Sequence, residues 1–160
     1  MLSSPMKCYC NSGRPFETCC QPILQGTKKA ATPENLMRSR FSAYALSNYD
    51  YILATYASAP RATLSQNDLR VSAEHTKWLT LNIIALPTPH QVEFNAWYSE
   101  NGKLGQLHET SSFILEDDAW RYHSGDLHSD TGYVKKGRNE PCICLSGKKF
   151  KQCCMLKLTS

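Results

Sequence analysis

One stretch near the C-terminus combines four closely spaced cysteines with a turn: NEPCICLSGKKFKQCC, residues 139–154. Its thiols form the pattern C-x-C-x8-C-C and belong to Cys142, Cys144, Cys153 and Cys154. A segment this short cannot bury a core of its own, whereas four thiolates around one zinc ion close a structural site and supply folding free energy directly. The pattern therefore predicts a zinc knuckle, with its turn at Ser146 and Gly147.

The same pattern occurs once more, near the N-terminus. There it is formed by Cys8, Cys10, Cys19 and Cys20, at an offset of 134 residues. Seven of thirteen positions are identical between residues 8–20 and 142–154, which we call the N-terminal and C-terminal knuckles, and the two copies use all eight cysteines. A chance arrangement would leave cysteines outside the pattern, so the sequence predicts a true internal repeat with two zinc ions, one per knuckle.

The expected compartment decides between metal and disulfides. Residues 1–7 lack the apolar core of a secretory signal, and the chain contains no run of eighteen apolar residues, so we expect a cytoplasmic protein without a membrane span. In a reducing cytoplasm, closely spaced thiols favour metal binding, and adjacent cysteines bridge each other only with strained geometry. Zinc is the favoured interpretation; redox use of the thiols and another soft metal, such as an iron–sulfur cluster, are the alternatives.

The C-terminal knuckle resembles the SEC-C motif, a zinc-binding segment named after the C-terminus of the SecA translocation ATPase. The order of motif, central domain and motif is similar to the YchJ-like family of small bacterial proteins, whose function is uncharacterised. This resemblance covers essentially the whole chain and implies zinc on the cysteines and a cone-shaped, nuclear transport factor 2-like α+β domain. The N-terminal knuckle departs from the usual motif, because Arg14-Pro15 replaces the Lys-Lys pair and Glu17 replaces the later Lys.

Three segments are predicted along the chain: an N-terminal knuckle with its linker (1–28), a central α+β domain (29–134) and a C-terminal knuckle (135–160). Within the central segment, helical periodicity begins at Thr32-Pro33-Glu34 and continues in a second helix that ends at Ala59-Pro60 and a shorter third one within residues 65–77. From Trp78 the period becomes two, with turns at Asn101-Gly102 and Asp117-Asp118. Helices followed by an antiparallel meander are typical of an α+β fold. Residues 21–31 and 128–137 are predicted to be linkers.

Charge is distributed unevenly. Residues 1–29 carry four Lys/Arg against one Glu (+3), residues 30–134 carry seven against twelve acidic residues (−5), and residues 135–160 carry seven against one (+6). A basic tail on an acidic body favours an anionic partner such as RNA, a ribosome or an acidic protein surface, with Lys148, Lys149 and Lys151 as contact charges. Alternatively, these lysines only offset the negative charge of the zinc–thiolate centre.

A pocket in the central segment is a further candidate site. The stretches beginning at Arg38 and at Glu109 are similar to ones typical of the YchJ-like family. Glu109 with Arg38 or Arg40 can line a pocket for a polar ligand or a general base, or else form a salt-bridge network that docks the helices on the sheet. The five histidines show no metal-ligand spacing, and no nucleophile–base pair or phosphate-binding loop is present, so no catalytic residue is predicted.

Two functions are therefore expected to compete. The first is a zinc-binding adaptor whose knuckles contact a protein or ribonucleoprotein, in keeping with the contact role that the resemblance to the SecA tail implies. The second is a small-molecule-binding protein or enzyme that uses the central pocket and is stapled by its zinc sites. Zinc storage is disfavoured, because complete four-thiolate sets predict tight, closed sites.

Overall fold

A computed structural model of the chain describes residues 5–159, which form five helices and then an antiparallel sheet. The helices are α1 (Gln21–Leu24), α2 (Pro33–Ala45), α3 (Tyr49–Ala54), α4 (Ser58–Arg61) and α5 (Gln66–Ala73). The strands are β1 (Thr76–Ala85), β2 (Gln91–Glu100), β3 (Lys103–Glu116), β4 (Ala119–Leu127) and β5 (Gly132–Tyr133). The predicted α+β class is confirmed. The interpretation of residues 1–7 as free of a secretory signal lies largely outside the described residues.

Local capping explains where the main helices begin. The Thr32 side chain accepts a hydrogen bond from the backbone N–H of Asn35 at 3.1 Å, and Pro33 occupies the first helical position of α2. A reciprocal capping box between Ser65 and Asp68 starts α5. Both starts agree with the sequence expectation, because caps depend on residues only a few positions apart.

The second predicted helix ends earlier than expected, at Ala54 rather than at Ala59-Pro60. The reason is a tertiary contact: the N–H of Tyr122 donates to the carbonyl of Thr55 at 2.8 Å, and the N–H of Ala57 donates to the carbonyl of Tyr122 at 2.7 Å. These bonds draw the chain out of the helix and onto β4. The helical pattern resumes only in the separate α4.

The sheet has the order β1-β2-β3-β4, with antiparallel neighbours, and β5 pairs with the beginning of β3. The Asn101-Gly102 turn joins β2 to β3, and both of its residues have positive φ, as a two-residue hairpin requires. β3 begins at Lys103, directly after this turn, because it pairs with β2 along its whole first part. Residues 128–137, predicted to be a linker, contain β5.

Each face of the sheet is covered by a different layer. On one face, strand residues including Leu81, Phe94 and Phe113 pack against Leu36 and Phe41 of α2. On the other face, the C-terminal knuckle packs against residues of β1, β2 and β3: Leu79, Trp97 and Leu104. The sheet is therefore a wall between the helices and the C-terminal knuckle. None of the helices formed by residues 5–159 is long and apolar enough to cross a membrane.

Candidate metal centres and central cavity

The structure brings each cysteine tetrad together as a compact cluster. Within each tetrad the four sulfur atoms all lie within 4.8 Å of one another, with 3.7 Å between those of Cys10 and Cys19 and 3.5 Å between those of Cys144 and Cys153. All eight thiols are free. A tetrahedral zinc ion with bonds of about 2.3 Å separates its sulfur ligands by about 3.8 Å. Both tetrads therefore fit a metal ion of this size and can hold one.

The two knuckles have the same backbone hydrogen bonds, so the sequence repeat is also a structural repeat. In the N-terminal knuckle the N–H of Cys8 donates to Arg14 and the N–H of Cys19 donates to Phe16; in the C-terminal knuckle Cys142 donates to Lys148 and Cys153 donates to Phe150. Gly13 and Gly147 have φ of 85° and 87°, a conformation that side chains rarely adopt. Each knuckle ends in a short 3-10 turn.

A serine hydroxyl lies against one sulfur in each knuckle. Ser12 Oγ is 3.2 Å from the sulfur of Cys19, and Ser146 Oγ is 3.6 Å from that of Cys153. Each of these hydroxyl oxygens accepts a hydrogen bond from the backbone N–H two residues further on. The hydroxyl hydrogen is therefore free to be donated to the sulfur. A hydroxyl hydrogen that points at a thiolate stabilises its negative charge and orients it as a ligand.

Helix α2 adds two polar contacts to the N-terminal tetrad alone. The Arg38 Nη1 donates to the carbonyl of Cys10 at 2.8 Å and lies 3.8 Å from its sulfur, and the Ser42 Oγ is 3.7 Å from the sulfur of Cys8. Burial opposes the charge of Arg38, but the hydrogen bonds to Glu34 and Cys10 outweigh it and raise its pKa. Arg38 therefore places a positive charge beside the thiols and does not line the central pocket for which it was predicted.

The thiols influence one another's ionisation. Hydrogen bonds with Cys10 and Cys20 lower the pKa of Cys8, and hydrogen bonds with Cys10 and Cys8 raise the pKa of Cys20. In the C-terminal tetrad, burial opposes ionisation of Cys144, but hydrogen bonds from Ser146 and Cys153 outweigh it and lower its pKa to about 7. Four thiolates this close repel one another, and a cation among them removes that repulsion.

The two tetrads differ in what buries them. Cys8, Cys10 and Cys20 are part of the main core, together with residues of α2 and of the sheet. The C-terminal tetrad belongs to a separate, smaller cluster on the opposite face of the sheet, in which Cys142 and Cys154 are buried beside Leu104. The N-terminal tetrad is therefore integral to the fold, whereas the C-terminal one is attached to it.

An asparagine pair connects the two knuckles. The Nδ2 of Asn11 donates to the carbonyl of Cys144 at 3.0 Å and to the Oδ1 of Asn82 at 3.3 Å, and the Nδ2 of Asn82 donates to the carbonyl of Ile143 at 2.8 Å. Asn82 lies on β1, so a side chain of one strand contacts both knuckles and fixes their relative position. No local sequence pattern indicates this contact.

We expect Asn82→Ala to loosen the C-terminal knuckle. It removes two side-chain hydrogen bonds, each of which contributes about 0.5–1.5 kcal/mol, so the free energy of unfolding should fall by about 1–3 kcal/mol. Denaturant unfolding measures this loss, and amide hydrogen exchange should rise within residues 142–154. The matched control is Asn67→Ala on the exposed first turn of α5. Equal exchange in wild type and Asn82→Ala would contradict the bridging role.

The central cavity lies between α2 and the sheet and has a volume of about 240 Å³. It is lined by Arg40 and Glu109 and by aromatic side chains that include Tyr44, Trp78 and Tyr122. Glu109 accepts hydrogen bonds from the hydroxyls of Ser111 and Tyr122, the latter at 2.9 Å. Burial and the nearby charge of Glu109 raise the pKa of Tyr122, which therefore stays protonated as a donor.

A histidine pair that was not predicted from the sequence lies on the opposite face of the sheet. The rings of His108 and His128 stack with centroids 3.8 Å apart, and His108 contacts both Glu93 and Asp130 at 2.7 Å. Burial opposes the charge of His108, but the two carboxylates outweigh it and raise its pKa. Glu93, His108 and His128 form a further group that can hold a metal ion. The pairing of β2 with β3 brings Glu93 close to His108, and the N–H of His128 donates to the carbonyl of His108. These residues are distant in sequence, so no local spacing indicates the group. His123 is not part of this group and contacts Ser124.

Comparisons with known proteins agree with this architecture. Residues 32–125 match the family described as "YchJ, middle NTF2-like domain", and residues 138–156 match the SEC-C motif. A UPF0225 protein of Vibrio cholerae is 39% identical over 93% of this chain and 99% of its own length. A UPF0225 protein of Shewanella sp. strain MR-4 is 38% identical over 96% of this chain and 99% of its own.

Two solved structures are also similar. The solution structure of a SEC-C motif containing protein from Rhodopseudomonas palustris has a TM-score of 0.70 and 34% identity, covering 76% of this chain and 98% of that one. The crystal structure of a SEC-C motif containing protein from Psychrobacter arcticus has a TM-score of 0.63 and 28% identity, covering 93% of this chain and 95% of that one.

Proposed function

The chain belongs to the YchJ-like family of UPF0225 proteins, and from this membership we propose that it is a cytoplasmic zinc-binding adaptor. Its C-terminal knuckle would contact an anionic surface of a protein or ribonucleoprotein. The central domain would hold that knuckle in a fixed orientation. The proposed segments 1–28, 29–134 and 135–160 are units of sequence, since both knuckles pack against the central one.

Zinc is proposed at both tetrads because the donor set consists of thiols alone. Soft thiolates select zinc, copper(I) or iron–sulfur clusters, and a closed set of four is typical of structural zinc. We propose one ion on Cys8, Cys10, Cys19 and Cys20, and one on Cys142, Cys144, Cys153 and Cys154. Four ligands leave no open coordination position, so these ions would stabilise the fold rather than take part in a reaction.

The observation that carries the adaptor role is a difference between the two knuckles. Both have the same thiols and the same backbone, yet the positions of Lys148, Lys149 and Lys151 are filled by Arg14, Pro15 and Glu17 in the N-terminal knuckle. A metal centre of this kind therefore does not require lysines at those positions. Lys148 and Lys149 are exposed, which leaves their charges available to a partner.

The backbone at Leu145 supports the same proposal. Leu145 has a φ of 63° and a side chain that is 78% exposed, whereas the equivalent position in the N-terminal knuckle is Asn11, a residue that tolerates this conformation. A leucine in the left-handed region costs about 1–2 kcal/mol, and an exposed one recovers nothing from the fold. Its side chain would stabilise a complex by burial against a partner that also contacts the neighbouring lysines.

Neutralising Lys148, Lys149 and Lys151 to Gln together should weaken partner binding about tenfold at low salt, since exposed charge pairs contribute roughly 0.2–1 kcal/mol each. The measurement is quantitative mass spectrometry of the partner that each variant retains when it is isolated from bacterial lysate without crosslinking, over a series of salt concentrations. The salt dependence should flatten, and zinc content should not change. Nuclease treatment separates a ribonucleoprotein from a protein partner.

The matched control removes the same charge elsewhere, by Lys28→Gln, Lys29→Gln and Lys103→Gln, and should retain the partner. Binding that is unchanged in the first variant, or lost equally in both, would exclude the C-terminal lysines as contact charges.

A further inference from the structure

We propose that the central cavity binds a small organic carboxylate with an aromatic or apolar body, and that Arg40 receives its carboxylate. This site is separate from the two knuckles and goes beyond the adaptor role. A packed protein interior has few voids larger than a water molecule, which occupies about 30 Å³ in the liquid. The cavity is several times larger, at about 240 Å³. It is smaller than a typical drug-sized pocket of about 300–1,000 Å³, so its ligand must be small.

Arg40 is a buried cation whose charge is only partly neutralised. The residue is 3% exposed, and its Nη1 donates to the carbonyl of Ile52 at 3.0 Å and to the Oγ1 of Thr55 at 2.6 Å. Its guanidinium carbon lies over the rings of Tyr56 and Tyr122, at 4.6 and 4.7 Å from their centroids. These contacts fix the guanidinium in place, but they supply no full negative charge.

No carboxylate among residues 5–159 forms an ion pair with Arg40. Glu109 lines the same cavity, but its carboxylate receives its hydrogen bonds from Ser111 and Tyr122 instead. A buried charge without a counter-ion costs several kcal/mol, and a bound anion offsets this cost. The cavity is therefore arranged to accept one negative group.

The charges of the lining decide which anion fits. Among the described residues that line the cavity, Arg40 has the only cationic side chain, and Glu109 adds a negative charge nearby. A monocarboxylate would add one negative charge beside Arg40 and Glu109, whereas a phosphate dianion would add two and would be repelled more strongly by Glu109. The planar guanidinium also matches a carboxylate in geometry, through two parallel hydrogen bonds.

The remaining walls select the body of the ligand. The rings of Phe41, Trp78 and Phe94 line the cavity together with Met37 and Leu107. Such walls bury an aromatic or aliphatic body better than a sugar-like one. An aromatic acid of about ten heavy atoms combines the head group and the body that these walls favour.

The experiment compares three probes of the same shape and different charge on the zinc-loaded full chain: phenylacetate, phenylacetamide and phenethylamine. Binding is followed by NMR of the ¹⁵N-labelled indoles, because Trp78 lines the cavity whereas Trp97 and Trp120 do not. We expect millimolar phenylacetate to shift the Trp78 signal and to bind at least tenfold more tightly than the amide or the amine. Equal binding of the three, or no shift of Trp78 with any of them, overturns the proposal.

Two variants test the role of Arg40. Arg40→Gln should reduce phenylacetate affinity at least tenfold, and the control Arg61→Gln, outside the cavity lining, should not change it. Because Arg40→Gln also removes packing against two tyrosines, Ala73→Phe at the cavity wall provides a second test, which fills the space and keeps the guanidinium. Retention of phenylacetate binding by either variant overturns the proposal. Neither result bears on partner binding by the C-terminal lysines, so the two proposals fail separately.

Discussion

Loss of metal from the N-terminal tetrad is expected to unfold the central domain, whereas loss from the C-terminal tetrad is expected to release only its own knuckle. The difference follows from burial, because Cys8, Cys10 and Cys20 are in the main core with α2 and the sheet. Structural zinc contributes about 10–16 kcal/mol in small zinc-binding peptides, which is as large as the whole stability of an ordinary domain. Without this contribution, the free energy of unfolding of the central domain should fall below zero.

The matched pair is Cys8→Ser with Cys10→Ser, and Cys142→Ser with Cys144→Ser, at equivalent positions of the repeat. Elemental analysis should give about two zinc ions per wild-type chain and one in each double variant. The N-terminal variant should lose the near-ultraviolet circular dichroism of the core aromatics, and the C-terminal variant should keep it.

Wild-type protein provides a second measurement that does not depend on recovering folded variants. During slow chelation, the C-terminal zinc should leave first, without global unfolding, and the N-terminal zinc should leave only as the core unfolds. Release of both ions in one step, or equal destabilisation by the two double variants, would contradict the asymmetry.

Phe113→Ala is expected to lower the free energy of unfolding by about 3–5 kcal/mol, the usual cost of deleting a buried aromatic ring. Phe113 is 2% exposed, and its ring meets that of Tyr122 edge-on with centroids 5.8 Å apart. Its loss would leave a void in the core beside β4. Denaturant unfolding with zinc present measures the change.

The control is Ile114→Ala, the next residue of β3, which is 36% exposed on the opposite face of the sheet. Since the Ile114 side chain is already partly hydrated, its removal should cost no more than about 1 kcal/mol. Similar losses of unfolding free energy at both positions would contradict the expectation that the buried face of β3 contributes more to stability than the exposed one.

Short-range signals made the elements and the tetrads predictable. The cap at Thr32, the Asn101-Gly102 turn and the cysteine spacing each depend on residues close in sequence, and the fold class and family predicted from them are confirmed. Arg38 and Arg40 were not separable in this way. They are two positions apart on one helix, about 200° around its axis, and only the direction from which the sheet packs decides which of them lines the cavity.

Long-range contacts account for what the sequence left open. The early end of α3 depends on Tyr122, and the His108–His128 stack depends on how the strands pair. The docking of the C-terminal knuckle depends on Trp97 and Leu104, which an alternating pattern marks only as strand residues. In each case the partner is distant in the chain, so no local pattern specifies it.

As a polymer, the folded chain is nearly a closed ring, because Asn11 and Cys144 are 133 positions apart and share a hydrogen bond. Closing a flexible loop of that length costs about 4 kcal/mol of chain entropy. Strand β1 provides the closure, since Leu81 packs in the cluster that contains the N-terminal tetrad and Leu79 packs in the one that contains the C-terminal tetrad. Both knuckles therefore pack against one strand in the middle of the chain. Detachment of that strand from the sheet would remove the contacts of both knuckles at once.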